Sequence, residues 1–378
     1  MKVLVIPDSF KGNLSSPEIC AIVSGQISAH YPAAEIVCLP VADGGEGSVD
    51  AFLTAAGGER VTRNVKNPYF EDIEAFYGIL ADGETAAIEM AAAAGLPLVG
   101  ERLCPARTTT YGVGQLIADA VGRGCKRIIL GLGGSATNDF GTGAAAALGV
   151  RFLDADGQPF VPTGGTLSQI AGIDTSARLP GLDAVPLIAM CDIDNPLYGE
   201  SGAAHVFAPQ KGADQVMVEA LDAGLRVVSD TVIRELGVDV SALPGAGAAG
   251  GMGGGMAAFF GARLQSGIET VLEAVNFDAL LEDADLVITG EGKIDRQSLG
   301  GKVVIGVARR AKRKHVPVIA IVGDIGDDIA EAYDEGVGAI FSINRVAVPF
   351  AEAKQRCRSD LALTVDNLMR FFRQIRWK

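Results

Sequence analysis

The chain is short of basic residues, of histidine and of any ordered cysteine motif. Lys and Arg total 32 against 46 Asp and Glu, so 32 − 46 gives a net charge of −14. A polyanion-binding surface needs the opposite balance, which argues against a nucleic-acid partner. The six cysteines are scattered, with no C-x-x-C pair, and there are three histidines, so a zinc site is excluded and a disulfide framework is not expected. No apolar run approaches 18 residues, and the sequence opens on a strand with neither a basic n-region nor an apolar h-region; no membrane partner and a cytoplasmic location are expected. A G-x-S-x-G elbow is missing too, which leaves a Ser-His-Asp hydrolase without support. His205 remains open as a base or a structural residue.

What is present is apolar residues and glycine. At 378 residues the chain is longer than one core usually supports, and 48% of it is apolar. Glycine occurs 49 times without a G-X-Y period, which excludes collagen and implies many tight turns. Apolar runs predict strands at 3–6, 36–41, 127–132, 185–190, 286–289, 316–322 and 339–343. Helical patterns lie at 16–30, 46–56, 110–123, 214–235, 301–314, 327–335 and 350–372. Ser15-x-x-Glu18 reads as a capping box with Pro17 in the first turn, and Ile19, Ile22, Val23 and Ile27 fall on one face. Strands alternating with helices predict an α/β fold with mostly parallel sheet. The alternation is regular in the first sixty residues and in the last third. The middle holds isolated strand-like pieces and long Gly-rich loops at 133–143, 199–212 and 244–255. The expected division is a discontinuous Rossmann- or flavodoxin-like domain of residues 1–66 and 285–378, with a second Gly-rich α/β domain of residues 67–284 inserted into it.

In open α/β sheets ligands bind outside the carboxyl ends of the strands. Five predicted strands end in an acid with glycine or small polar neighbours: Asp8-Ser9-Phe10-Lys11-Gly12, Ala42-Asp43-Gly44-Gly45-Glu46-Gly47, Gly133-Gly134-Ser135-Ala136-Thr137-Asn138-Asp139, Cys191-Asp192-Ile193-Asp194-Asn195, and Gly290-Glu291-Gly292-Lys293-Ile294-Asp295. If these strands share a sheet, their ends converge.

Each end suggests chemistry and has a plainer reading. Consecutive glycines before the small-residue helix at 139–149 would turn backbone N–H groups toward an anion. The same stretch fits the dinucleotide fingerprint through Gly131, Gly133 and Ala136, with Asp154 or Asp156 following. Asp192 and Asp194, at i and i+2, would share a face on a strand and suit a Mg²⁺ ion, or they are a turn before Pro196. Glu291, Lys293 and Asp295 alternate in a Gly-punctuated segment. Gly300-Gly301-Lys302 opens a helix with apolar positions Val304, Val307, Ala308 and Ala311, as an anion site or an ordinary cap. Arg107, beside Thr108, Thr109 and Thr110, would grip a carboxylate, or it is an exposed Arg. The run from Gly245 to Gly255 marks a close backbone approach or a linker.

Set side by side, these segments resemble the bacterial glycerate kinase family of the first-class type, the glycerate 2-kinases. The resemblance rests on Asp8-Ser-Phe-Lys-Gly, Ala42-Asp-Gly-Gly-Glu-Gly, Ala106-Arg-Thr-Thr-Thr-Tyr-Gly, Gly131-Leu-Gly-Gly-Ser-Ala-Thr-Asn-Asp, Cys191-Asp-Ile-Asp-Asn-Pro-Leu, Pro209-Gln-Lys-Gly-Ala, Gly245-Ala-Gly-Ala-Ala-Gly-Gly and Gly290-Glu-Gly-Lys-Ile-Asp, in collinear order. Phe140 and Asn13 depart from the small residue and the serine usual there. The resemblance implies ATP-dependent, Mg²⁺-assisted phosphorylation of D-glycerate to 2-phosphoglycerate, with the site in a cleft between two α/β domains. Under it, Lys11 and Lys293 hold phosphate or carboxylate. Asp8, Ser9, Arg107 and Glu46 meet the acceptor. Gly133, Gly134, Ser135, Asn138, Gly301 and Lys302 cradle the nucleotide phosphates. Asp192 and Asp194 hold the metal, and Asp295 or Asp43 takes the hydroxyl proton. A monomer or small homo-oligomer is expected. The competing expectations are a nicotinamide-dependent dehydrogenase of a small hydroxy acid and a non-catalytic binder of a phosphorylated metabolite.

Overall fold

The computed structural model describes residues 1–374 apart from Lys11, Ala42, Asp43 and Gln297, with Phe350 lacking a described side chain. The expected site residues Lys11 and Asp43 therefore lie outside the described residues. The chain divides into two compact units, one of Met1–Ala42, Thr54–Ala56 and Ile268–Lys378, the other of Asp43–Leu53 and Gly57–Gly267. The division falls ahead of the expected positions at both ends. The reason at the first is a strand the apolar pattern did not reveal, Gly58–Lys66, which pairs antiparallel with Asp72–Leu80 from Gly58↔Leu80 to Lys66↔Asp72. Its exposed side chains are mostly polar, as an edge strand's are.

The first unit is built on a five-stranded parallel sheet in the order Glu35–Cys38, Lys2–Pro7, Leu286–Gly290, Val318–Val322, Ala339–Ser342. Numbered along the unit, that is 2-1-3-4-5, the flavodoxin-like order. Alternate residues take opposite faces. Val3, Val5, Leu286, Ile288, Ile319 and Ile321 join one core with Ile19, Cys20, Val23 and Ile27 of the helix Ser16–His30 and Leu361, Val365 and Met369 of the helix Phe350–Phe372. Helix Val303–Arg313 packs on the sheet strands through a face that includes Val304, Val307, Ala308 and Ala311, all fully buried. Burying a side chain the size of Val304 or Val307 contributes about 1.5–3 kcal/mol before chain entropy is counted, and each alanine methyl less. The Ser15–Glu18 capping box forms as read, with Pro17 in the first turn.

The second unit has a six-stranded mixed sheet in the order Arg263–Gln265, Leu187–Met190, Arg127–Gly131, Thr85–Glu89, Asp72–Leu80, Gly58–Lys66. Its first four strands are parallel, and the last two turn back as hairpin partners. One core gathers Ile88, Leu116, Ile117, Ile128 and Leu130 around helix Tyr111–Gly122. A second joins Phe140, Phe152, Leu225 and Phe259.

The glycine run at 245–255 is neither linker nor loop. It enters a buried helix, Ala248–Phe260, in which Ala249, Gly250 and Gly251 take left-handed backbone and form a kink. A Cβ on Gly255 would stand 1.8 Å from the Phe140 carbonyl oxygen, and one on Gly250 would stand 2.1 Å from that of Thr137. Of the two possibilities the sequence left open, close backbone approach is the one realised.

Candidate active site

The five acid-bearing strand ends belong to two sheets, not one. Those after Pro7, Cys38 and Gly290 belong to strands of the five-stranded sheet; those after Gly131 and Met190 belong to strands of the six-stranded sheet. Of the loops they feed, those after Pro7 and Gly290 lie in the first unit, and the Gly44–Gly47 loop, like those after Gly131 and Met190, lies in the second.

In the first unit the strand order reverses between Lys2–Pro7 and Leu286–Gly290, the switch point where doubly wound folds open a ligand crevice. The loops carrying Asp8, Ser9, Glu291, Lys293 and Asp295 leave the sheet there. The backbone N–H of Asp8 donates to the Gly290 carbonyl at 2.8 Å, and Asp8 Oδ1 accepts the Ser9 N–H at 2.6 Å. The first loop closes through Phe10 N–H to the Leu14 carbonyl at 2.8 Å, with both side chains sunk in the core. Asn13 donates from Nδ2 to the Lys354 carbonyl at 3.0 Å. In the second loop Ser298 is the hub: its hydroxyl accepts from Asp295 N–H at 3.2 Å, and its carbonyl accepts from both Gly301 and Lys302 N–H at 3.2 Å.

Glu291 is the chemically unusual member. It is 4% exposed, and its Oε1 has no hydrogen-bond partner. Burial pushes its carboxyl up to about 7; a hydrogen bond to Ser298 and the Lys302 charge oppose the rise, while the Asp8 and Asp295 charges add to it. Lys293 beside it is exposed and pairs its backbone with Asp324 in a two-residue bridge. Glu291 is thus buried and Lys293 exposed, so the two side chains stand in different surroundings. Gly301, at φ +102°, and Lys302, the N-cap of helix Val303–Arg313, stand where the sequence placed them.

In the second unit a cavity of about 240 Å³ is lined by Gly133, Gly134, Ser135, Asp192, Lys211 and Ala249, among others. Lys211 is 2% exposed. Its Nζ donates to Ser135 Oγ at 2.8 Å and to the Thr137 carbonyl at 2.7 Å. Burial depresses its ammonium to about 7, against the opposing pull of Asp139. Asp139 is itself fully buried, which raises its carboxyl, and it is held by the N–H and hydroxyl of Thr110 at 2.8 Å and the N–H groups of Gly141 and Gly143. Thr137 Oγ1 and both side-chain amide atoms of Asn138 are buried without partners.

Four readings of this unit need correction. The glycines at 131 and 133 are required by packing rather than by an anion. A Cβ on Gly131 would lie 2.5 Å from the Gly44 carbonyl oxygen, one on Gly133 would lie 2.6 Å from Gly45 Cα, and Gly133 N–H is spent on the Gly44 carbonyl at 2.8 Å. The dinucleotide fingerprint fails on the same ground, because the helix begins only at Thr142 and Ala136 N–H is bonded to Ala94. The hydroxyls beside Arg107 turn inward. Thr108 Oγ1 donates to the Ala136 carbonyl at 2.8 Å and Thr110 Oγ1 to Asp139, which leaves the exposed Arg107 without them. Finally, the strand before Asp192 stops at Met190, so Asp192 and Asp194 share no strand face. Both are exposed, but Asp192 lines the cavity and accepts the Gly267 N–H at 2.8 Å through Oδ1, whereas Asp194 lies outside the cavity lining. Glu46 is exposed; nearby, the buried Glu89 accepts the Val49 N–H at 3.1 Å.

Among the described residues no group of three His, Cys, Asp or Glu side chains could hold a metal. Magnesium needs only one or two carboxylates beside substrate phosphates, and Asp192 on the cavity wall fits that lesser requirement better than Asp194. Lys211 and Glu291 were missed as individual site residues. Each lies in one of the resemblance motifs, Pro209-Gln-Lys-Gly and Gly290-Glu-Gly-Lys, and a charged residue next to glycine was the available signal.

Comparison with known proteins completes the picture. The glycerate kinase family pattern matches residues 3–373. The chain is 45% identical over 369 residues to a glycerate kinase of Bacillus cereus, covering 97% of each. It is 46% identical over 344 residues to glycerate 2-kinase of Escherichia coli K12, covering 91% of this chain and 90% of that one. A crystal structure provisionally named glycerate kinase 2, from Salmonella typhimurium LT2, superposes with a TM-score of 0.87 at 42% identity, covering 99% and 98% of the two chains. The chain belongs to the glycerate kinase family.

Proposed function

We propose that this protein transfers the γ-phosphoryl group of ATP to the 2-hydroxyl of D-glycerate. The observation that carries the reading is the full-length match to glycerate kinases in a chain whose sheet switch point bears Asp8, Ser9, Glu291 and Asp295. Phosphoryl transfer asks for in-line positioning and charge neutralisation rather than covalent chemistry. The switch-point loops supply carboxylates for the acceptor's hydroxyl proton and exposed Lys293 and Lys302 for anionic oxygens. Lys11 and Asp43 are assigned to the same tasks on the sequence resemblance alone. The cavity of the second unit offers Ser135 and Lys211 to phosphate oxygens, and Asp192 as a ligand of the magnesium ion. That ion would neutralise charge developing on the phosphates. Arg107, exposed and cationic, is assigned to the glycerate carboxylate.

Among the described residues the proton acceptor is assigned between Asp295 and Glu291, with Asp43 the further candidate given by the resemblance. A carboxyl pushed up to about 7 is matched to proton transfer at neutral pH. The test is ADP release on mixing enzyme, ATP, Mg²⁺ and D-glycerate, with product formation followed through enolase without added mutase. Signal through enolase supports 2-phosphoglycerate. ADP release without it points to the 3-phosphate, and NADH formation from NAD⁺ and a hydroxy acid would favour the dehydrogenase.

A further inference from the structure

Cys20 and Cys38 lie apart in sequence and on different elements, the helix Ser16–His30 and the edge strand Glu35–Cys38. Three contacts bring them together. Val5 of the neighbouring strand is the register partner of Cys38. Cys20 Sγ lies 3.8 Å from the Val5 carbonyl oxygen, which places its sulfur above that same strand position. Cys38 Sγ in turn lies 3.8 Å from the carbonyl oxygen of Cys20. Cys20 is 4% exposed, while Cys38 is only partly buried.

We propose that Cys20 and Cys38 form a reactive thiol pair that a hydroperoxide converts to an intramolecular disulfide. Cys38 is the attacking member because solvent reaches it. Hydrogen bonds from the Cys20 thiol and the Ser24 hydroxyl favour its thiolate over the opposing effect of burial, whereas Cys20 is held as the thiol by Cys38 and by burial. The Cys38 sulfur takes the distal oxygen of the hydroperoxide, breaking the O–O bond to give a sulfenic acid and water, or an alcohol from an organic peroxide. The Cys20 sulfur then attacks the sulfenic sulfur, forming the S–S bond, and the departing hydroxide leaves as water with the Cys20 proton. Each sulfur loses one electron and the peroxide gains two. The product would tie the first helix to the edge strand of the five-stranded sheet.

The experiment uses the full chain treated with hydrogen peroxide, quenched with N-ethylmaleimide and cleaved after glutamate. Glu18, Glu35 and Glu46 bound peptides 19–35 and 36–46, so each cysteine falls in a separate fragment. The expected result is a single species at the summed mass of the two less two hydrogens, lost in Cys38→Ser and reversed by dithiothreitol. The other four cysteines should remain alkylated. Oxidation of Cys38 to sulfinic acid with Cys20 still alkylated would overturn the proposal, as would full alkylation of both. Cys20→Ser gives a second check: Cys38 should then stop at a sulfenic acid trapped by dimedone, and failure to trap it under conditions that link the wild type also overturns the proposal.

Discussion

The Lys211 ammonium nitrogen stands 2.8 Å from the Ser135 hydroxyl and 2.7 Å from the Thr137 carbonyl, so one buried side chain pins two points of the loop that lines the cavity. Lys211→Met keeps most of the volume and removes the donors. Ser135 Oγ and the Thr137 carbonyl would lose that partner, costing about 1–3 kcal/mol. The sign of the pH dependence follows from a pKa held near 7 against the usual 10.5. Burial disfavours the ammonium, so wild-type stability is greatest above about 10.5 and declines as pH falls through about 7. Urea unfolding at pH 7 and pH 9 should therefore show the wild type gaining on the variant at the higher pH. In steady-state assays kcat/KM for ATP should fall by about tenfold or more, the worth of one charge-assisted hydrogen bond.

Glu291 carries the opposite sign. Its carboxyl is raised from 4.5 to about 7 by burial, so its neutral form is favoured on folding. That contribution is complete below about 4.5 and lost as pH rises through about 7. Between pH 4.5 and pH 8 the wild type should lose on the order of 3 kcal/mol relative to Glu291→Gln. Paired unfolding curves at the two pH values measure it. If Glu291 accepts the hydroxyl proton, the same variant should lower kcat by about 10²–10⁴ with little change in KM, and the acidic limb of the kcat profile should vanish. Asp295→Asn run in parallel separates the two carboxylates.

Much of this was legible in the sequence because it depends on local order. The apolar runs at 3–6, 286–289 and 316–322 gave parallel strands buried on both faces. Ser15 and Glu18 gave a capping box that forms. The resemblance motifs gave the family. What was not legible depends on partners far along the chain. Nothing local distinguishes Gly133 as an anion cradle from Gly133 as the residue that lets the Gly44–Gly45 backbone lie against it. Gly58–Lys66 escaped notice because an edge strand with mostly polar exposed side chains lacks an apolar run. Lys211 reads as one more surface lysine until the loop from Ser135 to Thr137 is folded over it.

Glycine positions give a stability test that is independent of catalysis. Gly255→Ala would place a methyl 1.8 Å from the Phe140 carbonyl oxygen, backbone that cannot step aside cheaply. A loss of about 3 kcal/mol or more is expected, with a lowered unfolding midpoint in circular dichroism. Gly25 sits inside the helix Ser16–His30 with open space around it. Gly25→Ala should stabilise by about 0.5–1 kcal/mol through reduced freedom of the unfolded chain. Equal effects at the two positions would contradict the packing described for the kinked helix.

Asp192 joins a structural bond to a proposed ligand role, and one substitution separates them. The side-chain oxygen of asparagine can still accept the Gly267 N–H now taken by Oδ1, so Asp192→Asn should leave stability within about 0.5 kcal/mol of the wild type. The negative charge is lost, and magnesium prefers carboxylate oxygen. The Mg²⁺ concentration for half-maximal rate should rise by about tenfold or more, with kcat recovering at high Mg²⁺. Asp194→Asn, exposed and away from the cavity lining, should shift it by far less. An unchanged Mg²⁺ requirement in Asp192→Asn would remove this residue from the metal, while a large shift in Asp194→Asn would restore the paired arrangement expected from the sequence.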